Sequence, residues 1–337
     1  MKNFLIFTSL VLSLSSVAQA APTKKIVIGL SMDTLKEERW QHDRDLFVQK
    51  AKELGAEVVV QSADGNDARQ NNQAENLLTQ GVDVLVVVPH NGVTAASIVE
   101  AAHKAGKKVI SYDRLIRNTS TDLYLSFDNV KVGELQASYL MRRVPKGNYV
   151  LIGGAPTDNN AKLLREGQMK ALQPAIDRGD IKIVADPWAR EWQASEALKH
   201  MENALSKTGN NIQAVVASND GTAGGAISAL KQQKLEGKVL VSGQDAELAA
   251  CQRIVSGSQV MTVYKPIKLL AESAAEAAVA MARGEAVKGI NAKVDNGKIQ
   301  VPSILMNPIQ VDKQNIDQTI IADKYQPRAA VYQTASK

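Results

Sequence analysis

Val82 to Asn91 reads VDVLVVVPHN, and Ile212 to Asp220 reads IQAVVASND. Each is an apolar run that breaks into polar residues. A helix-like stretch follows in both cases, and then a second apolar run ending in aspartate: GKKVISYD, Gly106 to Asp113, and GKVLVSGQD, Gly237 to Asp245. Short apolar runs bounded by turn residues fit strands buried on both faces, as in parallel sheets. Strand, helix, strand in repetition gives right-handed crossovers and a parallel sheet. Because the echo keeps both element order and the terminal aspartate, it predicts an α/β protein of two doubly wound, Rossmann-like lobes.

The same alternation extends outward from these segments. Lys25 to Ser31 (KIVIGLS) reads as the opening strand, and Arg44 to Leu54 (RDLFVQKAKEL) has apolar residues at helical spacing, stopped by Gly55. Glu57–Gln61 and Val84–Val88 are strands, with a helix over Asn71–Gln80 between them; Ala95–Lys104 is the helix before the Lys108–Tyr112 strand. After Asp128 the pattern restarts, with strands at Tyr149–Ile152, Ile181–Ala185, Gln213–Ala217 and Lys238–Ser242. Helices are expected over Leu163–Ile176, Ala197–Leu205 and Ala223–Gln232. The remaining segment holds a strand at Met261–Tyr264, a helix at Pro266–Arg283 and a late strand at Ser303–Ile309. It is too short for a third domain and is expected to complete both lobes. Crossings near Ser126–Asn129, Thr262–Lys265 and Lys288–Lys293 would then form a three-segment hinge. The expected lobes are residues 21–127 with 264–290, and 128–263 with 291–322, leaving a flexible tail over 323–337.

Lys2, the apolar run Phe4–Val17 and the small residues Ala18-Gln19-Ala20 have the order of a secretory signal peptide, cut after Ala20. The run is shorter than the roughly 20 apolar residues a permanent span needs, and Ala21 and Pro22, not Cys, follow it. Export to a periplasm without a stable membrane anchor is the expectation. A chain of 337 residues is long enough for two domains. Its 40 basic and 35 acidic residues are interspersed, so no nucleic-acid footprint is visible. The one cysteine, Cys251, has no internal partner and reads as a small buried apolar residue.

Ligands of open α/β sheets bind beyond the carboxyl ends of the strands. The residues in those places are Asp33 and Glu38-Arg39-Trp40 after the first strand, then Asp113-Arg114. In the second half they are Asp158-Asn159-Asn160, Trp188 and Trp192, Asn219-Asp220 and Gln244-Asp245, with Lys265 at the expected hinge. This mixture suits a sugar. Each hydroxyl both donates and accepts, so carboxylates and amides accept while guanidinium and ammonium groups donate. The apolar C–H faces of the ring pack on indole, and Trp40 and Trp192 stand in opposite halves. Taken singly, each residue has a plainer role: Asp113 and Arg114 as a surface pair, Asp220 as a helix cap, a tryptophan as the lid of a core. Together they make a site.

Other chemistries find less support. There is no G-x-S-x-G, no phosphate-binding G-x-x-x-x-G-K-[ST] and no C-x-x-C, and Gly221–Gly225 does not make a dinucleotide fingerprint. His42, His90, His103 and His200 lack ligand spacing, so neither a metal nor a cofactor is expected. Asp113 and Asp245 as a glycosidase pair fit poorly with the cations beside them.

The motifs ERW (Glu38–Trp40), SYDR (Ser111–Arg114), SFDN (Ser126–Asn129), DNNAK (Asp158–Lys162), ASND (Ala217–Asp220), SGQDAEL (Ser242–Leu248) and MTVYKP (Met261–Pro266) resemble the xylose-binding branch of the periplasmic sugar-binding proteins, across essentially the whole exported chain. The resemblance implies a ligand site built from Arg39, Trp40, Asp113, Arg114, Asn160, Trp192, Asn219, Asp245 and Lys265. It also implies a monomeric binding protein without enzymatic activity, carrying D-xylose to the permease and ATPase subunits of an ABC importer. The alternatives are another monosaccharide (ribose, arabinose, glucose or galactose) or the core of a sugar-responsive repressor. The latter would need a DNA-binding segment where this chain has its leader.

Overall fold

The computed structural model describes residues 25–333; the expected leader and its cut after Ala20 lie outside them. Along the chain come β1 (Val27–Met32), α1 (Glu38–Glu53), β2 (Glu57–Ser62), α2 (Asp67–Thr79), β3 (Val84–Val87), α3 (Ala96–Lys104), β4 (Lys108–Tyr112) and β5 (Leu123–Phe127). Next are α4 (Asn129–Arg143), β6 (Gly147–Ile152), α5 (Asn159–Asp177), β7 (Ile181–Ala185), α6 (Ala194–Thr208), β8 (Ala214–Ala217), α7 (Asp220–Gln232), β9 (Leu240–Val241) and α8 (Leu248–Ser256). The chain ends with β10 (Thr262–Tyr264), α9 (Ile267–Arg283), β11 (Ala292–Asp295), β12 (Gln300–Met306), β13 (Ile309–Val311) and α10 (Arg328–Val331).

Two larger sheets and a two-stranded one, β10 with β13, result. The larger has the order β11-β12-β5-β4-β3-β1-β2 and the smaller β7-β6-β8-β9. Within both, the first four strands stand in one order: β2-β1-β3-β4 matches β7-β6-β8-β9. This is the structural form of the sequence echo. Among the described strands all pairings are parallel except β11 with β12 and β10 with β13. Strand order reverses at β1 and at β6, which opens a crevice beyond the strand ends on each sheet.

Both faces of each sheet are covered, which accounts for the nearly continuous apolar strands. In the larger unit, Phe47 of α1 and Leu270, Ala274 and Ala278 of α9 bury one face; Leu77, Ile98 and Val99 of α2 and α3 bury the other. In the smaller unit, Met201, Ile227 and Leu230 of α6 and α7 oppose Leu140, Leu164 and Leu172 of α4 and α5. Each fully buried Leu or Ile contributes about 1.5–3 kcal/mol. A satellite cluster of Ala246, Cys251, Tyr264, Val311, Ile316, Ile320 and Val331 fastens β10, β13 and α10 beside the smaller sheet.

Two expectations need correction here. β12 is parallel to β5, with Ser303 opposite Tyr124 and Met306 opposite Phe127, so residues 292–306 extend the larger sheet instead of joining the second lobe. The chain therefore passes between the units after β5, between β10 and α9, and between β12 and β13, not at Lys288–Lys293. The cause is edge pairing: β5 would otherwise leave an open row of backbone donors and acceptors. The tail is also docked up to the last described residues. Gln326 is buried and donates to the Ala246 carbonyl at 3.2 Å, Tyr325 stacks near Tyr264 with ring centroids 5.3 Å apart, and Val331 is buried.

Candidate functional site

One cleft lies between the two units. All nine residues singled out from the sequence line it, delivered by loops at the carboxyl ends of strands. Arg39 and Trp40 come from the first turn of α1, Asp113 and Arg114 from the loop after β4. Asn160 opens α5, Trp192 follows β7, Asn219 follows β8, Asp245 follows β9, and Lys265 follows β10. Glu37, Asn129, Asp158 and Gln244 also line it.

Arg39 is the hub. Its Nε sits 3.1 Å from Asp43, one NH2 contact reaches Asp113 at 3.0 Å, and NH1 lies 3.5 Å from Asp245. Asp43 stands one turn further along α1, so both side chains share a helix face, and Tyr112 donates its hydroxyl to it. Lys265 approaches Asp245 at 3.1 Å and Asp113 at 3.9 Å. Burial works against charge on Asp113, but Arg39, Lys265 and Arg114 prevail and hold its carboxyl below the usual range. Burial prevails at Asp43 and Asp158, whose carboxyls are pushed up.

A second network joins the units. Arg114 contacts Asp33 at 2.6 Å and Asp158 at 2.9 Å. Asp158 is the N-cap of α5, where one carboxylate oxygen accepts from the Asn160 amide at 2.9 Å and the other accepts from Trp192 Nε1 at 3.3 Å. The Asn160 side chain donates to the Asp113 carbonyl at 3.0 Å and to its carboxylate at 3.1 Å. Asn219 caps α7 in a reciprocal box with Thr222. The cap expected from Asp220 is thus made by its neighbour. Asp220 is instead buried, accepting from Gln259 at 2.7 Å and Thr262 at 2.9 Å.

Three site residues hold left-handed backbone: Asp113 at φ 58°, Trp192 at 56° and Asp245 at 95°. Such positions cost on the order of 1–3 kcal/mol and persist only where neighbours over-determine them. At Asp113 the neighbours are evident. Its carbonyl accepts from Ser126 at 2.7 Å, Asn160 at 3.0 Å and Tyr124 at 3.1 Å. Gly154, after β6, has a related purpose: a Cβ there would meet the Trp192 ring at 2.1 Å. The indole lies flat over a backbone that only glycine leaves bare.

Trp40 is buried, with the guanidinium carbons of Arg39 and Arg114 at 4.2 and 5.1 Å from its ring centre. Its ring serves the cations as well as the cleft. Two buried acceptor oxygens on the lining residues have no hydrogen-bond donor, Glu37 Oε2 and Gln244 Oε1; Asp245 Oδ1 is engaged only through its ion pairs with Lys265 and Arg39. Unsatisfied buried acceptors cost about 1–3 kcal/mol each, and a ligand's hydroxyl groups can donate to them. The arrangement offers fixed donors, fixed acceptors and two indoles to a small polyhydroxylated molecule. Asp43 and Glu37 escaped the sequence reading, and only Asp43 carried a signal, its four-residue spacing from Arg39; Asp158 and Gln244 were placed at strand ends but not among the nine.

A model of the periplasmic binding protein domain matches residues 28–286. The chain is 53% identical over 324 residues to the D-xylose-binding periplasmic proteins of Haemophilus influenzae and Escherichia coli, covering 96% of this chain and 97% of each relative. A solved carbohydrate transporter solute binding protein from Chloroflexus aurantiacus, in complex with D-glucose, shares the fold at TM-score 0.84. Its identity is 32%, covering 91% of this chain and 98% of that one. With these similarities and two sheets enclosing a polar cleft, the chain belongs to the periplasmic binding protein family.

Proposed function

We propose that this chain captures D-xylose between its two units and presents it to the permease and ATPase of an ABC importer. It is a binding protein, not an enzyme. Family members of this kind bind a monosaccharide and work with importer components, and the relatives similar over the whole chain are named for D-xylose. The observation that carries the reading is the convergence of all nine residues from both units on one cavity whose lining holds unpaired acceptor oxygens.

Recognition follows from the residue types. Arg39, Arg114 and Lys265 donate to sugar oxygens, Asp113 and Asp245 accept, Asn160 and Asn219 do both, and Trp40 and Trp192 pack against the ring. A ligand that touches both units favours the arrangement in which they approach, by its differential contacts. The passages between the units after β5, between β10 and α9, and between β12 and β13 are the hinge in this reading. The protein acts as a monomer in the periplasm, exported by a leader cut after Ala20. Titration of the sugar-free protein with D-xylose tests the proposal: one-to-one binding supports it, and no binding of any monosaccharide rejects it.

A further inference from the structure

A second cavity adjoins the first and is lined in part by Asp33, His90 and Glu191. Glu37, Arg114 and Trp192 line both and therefore form the partition. Arg114 is fixed by two carboxylates and Trp192 by Asp158 and the bare backbone at Gly154. Glu37 is different. It is the N-cap residue of α1, yet its side chain makes no capping bond. Its Oε2 is buried without a donor. The carboxyl feels the Arg114 charge and its own backbone amide, but it does not cap the helix, and one of its oxygens stands without a donor at the wall between two cavities.

We propose that Glu37 is a specificity-determining residue: it accepts a hydroxyl of the bound pentose and closes off the space that a larger sugar's hydroxymethyl group would need. This rests on the sugar-cleft reading above. The chemistry is selective because the wall is polar. A bound sugar that offers a hydroxyl satisfies Oε2, whereas an added carbon meets the carboxyl and leaves it unpaired. Burial pushes the Glu37 carboxyl up despite the nearby Arg114 charge, with Asp33 and Asp245 adding to the rise.

The test is calorimetric titration of the full mature protein and its Glu37→Ala and Glu37→Gln variants with D-xylose and D-glucose. In Glu37→Ala the ratio of the glucose Kd to the xylose Kd is expected to fall by about tenfold or more. Glu37→Gln keeps both the volume and an acceptor, so it should stay within about threefold of wild type in that ratio. An Ala variant whose two affinities change by the same factor, or not at all, overturns the assignment. Failure of the wild-type protein to bind either sugar would instead reject the sugar-cleft reading, before any variant is compared.

Discussion

Arg114 Nε lies 2.9 Å from Asp158 Oδ2, and the two residues belong to units whose sheets share no strand. Arg114 also holds Asp33 at 2.6 Å, so one buried guanidinium links the first strand's exit, the fourth strand's exit and the N-terminus of α5. Buried pairs of this kind recover their desolvation cost only with good geometry and full hydrogen bonding. Here the partners are satisfied on all sides, which makes the network a positioning device for the cleft.

Loss of a charged member should therefore be severe. Arg114→Ala leaves Asp33 and Asp158 buried beside each other's field, and Asp245→Ala leaves Lys265 and one arm of Arg39 without their partner. Each should weaken sugar binding by about 2–5 kcal/mol, measured by calorimetry. Wild-type affinity in either variant contradicts the site assignment.

Gly154→Val tests the indole. A side chain there must displace the Trp192 ring, which a Cβ would approach to 2.1 Å. Binding should weaken by about tenfold or more, and the tryptophan emission change on adding sugar should shrink. Unaltered affinity and emission would show that Trp192 is not a wall of the sugar site.

Protonation should favour stability on the acid side of neutrality. His90 Nδ1 is 2.8 Å from Asp33 and 3.6 Å from Glu191 of the opposite unit, while Nε2 is 3.6 Å from Asp67. The bond to Asp33 outweighs burial and raises the imidazole above its ordinary 6.5. The folded state thus favours the proton, and this contribution is complete below 6.5 and lost as pH rises through the raised value. Asp33 behaves oppositely. Burial is overcome by Arg114 and His90, its carboxyl lies below 3.8, and its contribution disappears only as pH falls through that lowered value. Between about pH 6 and pH 9 the wild-type Tm should fall more steeply than that of His90→Gln. Parallel profiles would exclude His90 as the source.

Glu38 offers a test of closure without touching the sugar cavity. Its Oε2 accepts the backbone amide of Leu248 at 3.1 Å, reaching from α1 to the uncapped N-terminus of α8 in the other unit, and Gln326 donates to Oε1. Glu38→Ala removes a contact that exists only while the units are together. It should raise koff by about threefold to tenfold, with kon little changed. An unchanged koff under stopped-flow mixing would show that the contact does not bias closure.

Much of this was legible because chemistry and position coincide in open α/β sheets. Asp113 and Asp245 could be found because β4 and β9 occupy equivalent places in matching strand orders. α4 was not legible. Its Gly133 weakens the helical pattern by about 1 kcal/mol, yet a Cβ there would meet the Leu164 carbonyl at 2.0 Å, and one at Gly167 would meet that of Val130 at 1.9 Å. The two glycines let α4 and α5 touch, a property of the pair and not of either segment. β11 and β12 were likewise assigned to the wrong lobe, because edge pairing with β5 leaves no local trace. Asp158 was in view, but its triple engagement depends on two distant residues, Arg114 and Trp192, besides its own helix.

The central claim is most directly tested by calorimetric titration of the mature protein, stripped of endogenous sugar, with D-xylose and then L-arabinose, D-ribose and D-glucose. The account predicts one-to-one binding of D-xylose with submicromolar Kd, an energy of roughly 8–10 kcal/mol that a ligand of this size can supply, and weaker binding of the others. Preference for another of these sugars would contradict the xylose assignment while keeping the cleft; heat from none of them would contradict the cleft itself.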